Sequence, residues 1–286
     1  MLNVIIGLLL IFLLYSLFAT TILELLAAFL SFRGRNLEKA ISNMLDPDNP
    51  DLFREFKENP VYKQLAGQFI GKTSPPSYLS SEKFRSILFQ VLGRNQEGDK
   101  VEEWVGKLPE GPLKSTLGQL LQDARQDKEE FKQKVEMWFN DVMDRASGWY
   151  KRNMQRILIM IGMGIAISFN VDSLQVYGQL SRDPDAANKM ALEAAKVVST
   201  AEPGQEQPAE LKKEVYSLLA ENLEVLKSPL GIGWEKVDLN TLSLVDWMAK
   251  LFGWVVTAFA ISLGAPFWFD LLKKLVNIRS SGSKPA

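Results

Sequence analysis

The sequence predicts an all-α membrane protein with three transmembrane helices, a helical cytoplasmic domain and a smaller helical extracytoplasmic domain. Three observations carry that expectation. Apolar stretches without a charge cover Leu2 to Leu23, Ile157 to Phe169 and Leu251 to Phe269. The charged segments between them place apolar residues at helical intervals. No convincing alternation of apolar and polar residues marks a strand.

Composition narrows the chemistry. The 286 residues hold 33 Lys and Arg against 34 Asp and Glu, a net charge of −1, so no basic excess argues for nucleic acid. Cysteine and histidine are both absent. Disulfides, thiolate nucleophiles, His/Cys zinc sites, Ser-His-Asp triads and histidine proton switches are therefore excluded. No Walker A loop, dinucleotide glycine fingerprint, HExxH, GxSxG or calcium loop occurs. No catalytic residue, cofactor or metal site is assigned. Glu102-Glu103 and Glu129-Glu130 read as solvated helix faces, because sequence neighbours point to different sides of a helix.

The first element, residues 1–32, exceeds the roughly 20 residues needed to cross a bilayer. It has no Lys or Arg before Arg33, unlike a signal peptide, and is expected to remain as an anchor. Arg33, Arg35 and Lys39 follow it, so the positive-inside rule puts the N-terminus outside. Residues 33–126 form the expected cytoplasmic domain. Leu37, Ala40, Ile41, Met44 and Leu45 mark one helix. Phe84, Ile87, Leu88, Val91 and Leu92 mark another, capped by Ser81, and Val101, Trp104, Val105 and Leu108 a third. Thr73 to Ser77, with Pro75-Pro76, is a loop.

Residues 127–176 are expected as one long helix whose second half, about 153–176, is the second span. Phe131, Val135, Trp138, Val142 and Trp149 share one side of it. Lys151 and Arg152 beside Trp149 and Tyr150, with Arg156 a turn further on, fit snorkelling cations and an aromatic belt on the cytoplasmic side. Residues 177–250 are expected outside, with helices near 185–199 and 209–226, a linker at 202–208 and an apolar loop at 228–234. Residues 251–272 make the third span, kinked at Pro266, and 273–286 a basic cytoplasmic tail.

Polar groups at membrane depth are the first site candidates, since a charge there costs about 2.5–3.5 kcal/mol on insertion scales. Glu24, Arg152, Arg156, Asp270, Lys273 and Lys274 fall near the cytoplasmic interface, as an ion-pair ring fixing helix register or, for Glu24 and Asp270, as part of an ion or proton path. Asn170 and Asp172 lie in the outer half of the second span, where Asp172 is either a helix cap or an ion ligand. Gly162/Ala166, Gly164/Ser168 and Ala260/Gly264 are small pairs four apart, suited to packing within the chain or to a homo-oligomer.

Two segments, FNDVMDRASGWYKRNMQ at Phe139 to Gln155 and ISLGAPFWFDLLKKLVNIRSSG at Ile261 to Gly282, resemble a widespread group of bacterial integral membrane proteins of unassigned activity. An NVD tripeptide, here Asn170 to Asp172, and a PLG-W element, here Pro229 to Trp234, extend the likeness. The resemblance implies a bacterial plasma membrane, or an equivalent internal membrane, and transfers no site residue. The chain is expected to be a non-enzymatic membrane protein coupling a cytoplasmic helical domain to an outer one, in scaffolding, sensing or envelope organisation. Its partners are then the lipid bilayer and a cytoplasmic protein. A subunit of an oligomeric channel or transporter is the alternative, and a membrane-anchored hydrolase the third reading.

Overall fold

A computed structural model describes residues 1–45, 50–69, 72–92, 101–125, 127–200, 234 and 242–281. The helix expected at 209–226, the linker at 202–208, the loop at 228–233 and the final residues of the tail lie outside them. The described chain is helical except for one hairpin of three-residue strands. It divides into two units, Leu25–Asn153 and Met1–Glu24 with Met154–Ala286.

Unit Leu25–Asn153 contains α2 (Phe32–Leu45), α3 (Pro50–Glu58), α4 (Pro60–Leu65), α5 (Ser81–Val91), α6 (Val101–Gly106) and α7 (Pro112–Asp123), with the first part of α8 (Lys128–Ser168). Two of these helices, α4 and α5, start at a side-chain cap. Asn59 accepts from Val61 N at 2.9 Å and Pro60 opens α4 where no N–H is needed. The cap of α5 is Ser80, one residue before the expected Ser81, because its hydroxyl reaches Lys83 N. The hairpin, β1 (Gly67–Phe69) against β2 (Lys72–Ser74), pairs antiparallel with Gln68 opposite Thr73. Sequence reading missed it because three residues show no alternation.

Aromatic rings fill this unit's core. Phe84 stacks on Phe139 at 4.5 Å, and Phe56 and Trp138 meet it at 5.7 and 6.2 Å. Phe131 and Val135 are fully buried, as their helical spacing predicts. Trp149, expected on the same stripe, is 60% exposed. Helical spacing puts Trp149 in line with Phe131, so periodicity does not explain its exposure, and Phe139 takes the next place in this core.

In the second unit α1 (Leu2–Phe29) is buried on nearly every side from Val4 to Ala19. Its coat is α9 (Ser173–Arg182), α10 (Pro184–Thr200), α11 (Leu244–Ser262) and α12 (Ala265–Ser281). Gly7 admits the side chains of Met190 and Leu180, where a Cβ would sit 3.1 and 3.3 Å from them. Phe12 meets Trp268 at 4.8 Å, and Ser16 Oγ donates to the Ile261 carbonyl at 3.1 Å.

Three expectations change here. The long helix stops at Ser168 instead of running to 176, and α9 continues from it after a bend of 52°. The third span is not one helix over 251–272. α11 ends at Ser262, Gly264 takes the left-handed conformation at φ 85°, and α12 starts afresh with Pro266 in its first turn. The break precedes the proline because glycine supplies the turn and proline suits a helix start. Residues 273–281, expected as a tail, belong to α12.

Two helices, Leu2–Phe29 and Leu244–Ser262, are long and apolar enough to cross a membrane, and a third crossing requires the bent pair α8 and α9. Residues 3 and 279, expected on opposite sides, are brought together by two hydrogen bonds of this unit. Asn3 Nδ2 donates to Asn188 Oδ1 at 2.8 Å, and Arg279 Nη2 donates to the same oxygen at 3.2 Å. Both ends of the described chain therefore meet on one carboxamide.

Candidate functional site

A polar knot forms where α8 stops. Asn170 adopts the left-handed conformation at φ 49°. Its N–H bonds the Ile167 carbonyl at 3.1 Å while Val171 N–H reaches back to Ala166 at 2.8 Å. This is the Schellman pattern, with asparagine in the position glycine usually takes. Two residues on, Asp172 caps α9 by accepting from Leu174 N at 2.9 Å and Gln175 N at 3.2 Å. The cap reading of Asp172 is the one its bonds support. The carboxylate rests on the backbone of Gly253, where a Cβ would overlap its oxygens.

α11 supplies the other half. Thr257 is fully buried, and its hydroxyl oxygen accepts from Ser173 N at 3.1 Å and lies 2.7 Å from Ser173 Oγ. If the serine donates, the single threonine proton is shared between the carbonyls of Val171 at 2.9 Å and Gly253 at 2.8 Å. One hydroxyl thus satisfies the backbone on both sides of the helix break. Seven residues earlier, Lys250 is buried and donates to Asn170 Oδ1 at 2.9 Å. Its ammonium faces the rings of Trp234 and Trp254 at 5.7 and 5.9 Å. Trp234 Nε1 donates to the Ile167 carbonyl at 3.1 Å, and Trp247 packs edge-on against Trp254.

The knot is a device for stopping and redirecting a helix in an apolar setting. An unpaired backbone group there costs several kcal/mol, and this arrangement supplies the amides of Asn170, Val171 and Ser173 and the carbonyls of Ala166, Ile167 and Val171. It contains a cation, a carboxylate and two hydroxyls, but its hydrogen bonds engage backbone and cap positions and leave no nucleophile paired with a base. Among the described residues no group of three or more acidic side chains is placed to hold a metal ion.

Of the expected site residues, Asn170 and Asp172 are buried and joined through this knot. Glu24, Arg152, Arg156, Asp270, Lys273 and Lys274 are all exposed on α1, α8 and α12. Sequence reading missed Lys250, Gly253, Thr257 and Ser173. Lys250 was legible only as the charge flanking an apolar run, and Thr257 is one hydroxyl inside that run. Small-residue spacing separates into distinct uses. Gly162 lies against the Ala258 backbone, where a Cβ would be 3.1 Å from its carbonyl oxygen. Gly164 has open space around it, and Gly264 is the break itself.

No family model, no curated protein and no solved structure matches the chain. The likeness of the SGWYKR and SLGAPFWFDLL segments thus rests on those segments alone.

Proposed function

We propose that this chain is a non-catalytic bacterial membrane protein in which α8 couples a cytoplasmic helical domain to a polar knot in the membrane and to an outer helical layer. One observation carries the reading: α8 is a single 41-residue helix. Phe131, Val135 and Phe139 sit in the aromatic core, and Leu158 and Ile165 in the apolar one. At 1.5 Å per residue it is about 60 Å long, roughly twice a hydrocarbon core. Arg33, Arg35 and Lys39 with Lys151, Arg152 and Arg156 support a cytoplasmic location for residues 33–152. Asn3, Asn188 and Arg279 then share the outer side, a change from three crossings with the last residues inside.

Single cysteines at Ser42, Ser199 and Ser281 test the topology, in a background free of other thiols. Labelling of Ser199 and Ser281 from one side and Ser42 from the other supports it. Labelling of Ser281 together with Ser42 would restore three full crossings and discard the shared outer side. Coupling has its own test. Loosening the aromatic core with Phe84→Ala should raise hydrogen exchange in α9 several-fold, and adding Gly148→Pro, at a position with no neighbour to disturb, should abolish that response. Exchange in α9 that ignores Phe84→Ala removes the coupling reading.

A further inference from the structure

Within unit Leu25–Asn153 a cleft of about 550 Å³ opens between the start of α2, the 77–79 loop and residues 139–151 of α8. Its floor is apolar, from Leu37, Leu79 and Phe139, all buried. The mouth carries Arg33 and Lys151, with Tyr150, Ser77, Asn140 and one acid, Asp144. Arg33 and Lys151 make no ion pair among the described residues, although eight other pairs form there. Two uncommitted cations over an apolar floor, ringed by hydroxyl and amide groups, match a phosphate ester attached to something greasy.

The cleft is built into the fold. Gly34 lies directly against the Pro75 carbonyl, where any Cβ would collide with it. That contact sets the chain leading to the 77–79 wall against α2. Asn36 Nδ2 donates to the Ala146 carbonyl at 3.2 Å and closes the seam between α2 and α8 behind it. Chain connectivity places the cations beside the apolar segments. Arg33 comes four residues after Phe29, the last of α1, and Lys151 six residues before Ile157, where α8 turns apolar. Six helical residues are about 9 Å, which carries Lys151 through a headgroup layer of roughly 5–8 Å to its water-facing edge.

We infer that this cleft binds the headgroup of an anionic phospholipid, its phosphate between Arg33 and Lys151 and its glycerol region over the Leu37, Leu79 and Phe139 floor. The inference rests on the membrane reading above. The probe is the full chain in nanodiscs or detergent, titrated with short-chain phosphatidylglycerol, with short-chain phosphatidylcholine and with glycerol 3-phosphate.

Phosphatidylglycerol should bind about tenfold more tightly than phosphatidylcholine, and Arg33→Gln with Lys151→Gln should remove that preference. Asp144→Asn should tighten binding, and Lys107→Gln, an exposed cation elsewhere, should leave it unchanged. Equal affinity for the two lipids, or an undiminished preference in the double variant, would overturn the site. Glycerol 3-phosphate binding as tightly as the lipid would overturn the lipid as its source. Loss of the chain from carbonate-washed membranes would instead defeat the membrane reading, which separates the two failures.

Discussion

The two units hold themselves together with different materials. Leu25–Asn153 buries phenylalanines from separate amphipathic helices and carries ion pairs on its surface, such as Arg54 with Asp51 at 2.9 Å. The other unit wraps an apolar helix in its neighbours and fixes their register with buried polar atoms at Ser16, Thr257, Ser173, Asn170 and Lys250. The contrast follows from the solvent each helix meets. A helix between water and a core must show two faces, and the position of the apolar face then selects its partner. A helix apolar all round has no such face, so small residues and hydrogen bonds choose the contacts.

The largest effect belongs to the aromatic core. Phe84→Ala removes a fully buried ring that touches Phe56, Phe139 and Trp138, and should cost about 3–5 kcal/mol. Hydrogen exchange of α3 and α5 amides reads it, as a rise of roughly a hundredfold or more against the several-fold rise in α9. Equal loss of protection in both units would erase the distinction between them.

Glycines give the next comparison, this time inside one unit. Gly253→Ala drives a methyl into the Asp172 carboxylate and should cost about 3 kcal/mol, at the top of the range for overpacking, by displacing the cap of α9. Gly164→Ala meets nothing and should be neutral or stabilising by up to about 1 kcal/mol through helix propensity. Detergent unfolding of the two variants side by side measures the gap. A costly Gly164→Ala would mean that this face packs against a second copy, the oligomer that its spacing with Ser168 suggests.

How much of this was legible in the sequence follows the same division. Leu37, Ile41, Phe84, Ile87, Leu88, Phe131 and Val135 were readable as core because each repeats at helical intervals beside charges. The end of α8 was legible only as a polar outer half that could stop the helix early, with Asp172 as a cap. Ile165 to Phe169 continues an apolar run, and only Asn170 and Asp172 mark the stop, through a left-handed backbone and a cap that depend on Thr257 and Gly253 some 80 residues away. The third span misled for a related reason. Gly264 and Pro266 signalled a defect, yet whether a helix kinks or ends is settled by what receives the next segment. Here Trp268 turns back to donate to the Ala260 carbonyl at 2.7 Å. Nor do flanking charges foresee that Asn188 gathers Asn3 and Arg279.

Thr257→Val probes the knot with less disturbance than Gly253→Ala, because the side chain keeps its shape. Ser173 N and Oγ lose their acceptor, and the Val171 carbonyl loses a donor. A cost of about 1–2 kcal/mol is expected, within the range for stranding buried polar groups. Thr257→Ser should recover most of it. Exchange at α9's first amides is the readout, and a silent Thr257→Val would show that the break holds without its hydroxyl.

The smallest effect is a pH limb confined to the aromatic unit. Tyr62 is buried beside Phe56, and its hydroxyl approaches Glu38 at 3.4 Å. Burial, then the Glu38 charge and hydrogen bond, push its phenol well above the usual range. The unfolded phenol ionises near about pH 10, whereas the folded one keeps its proton. Above that pH the unfolded state binds fewer protons, so stability is complete below about pH 10 and falls as pH rises beyond it. Tyr62→Phe should flatten this alkaline limb in urea titrations at pH 9 to 11 (about one pH unit either side of a free phenol) and leave neutral stability nearly unchanged. An equally steep limb in the variant would assign it to other groups, and the polar atoms that matter to pH would then have to be sought outside this core.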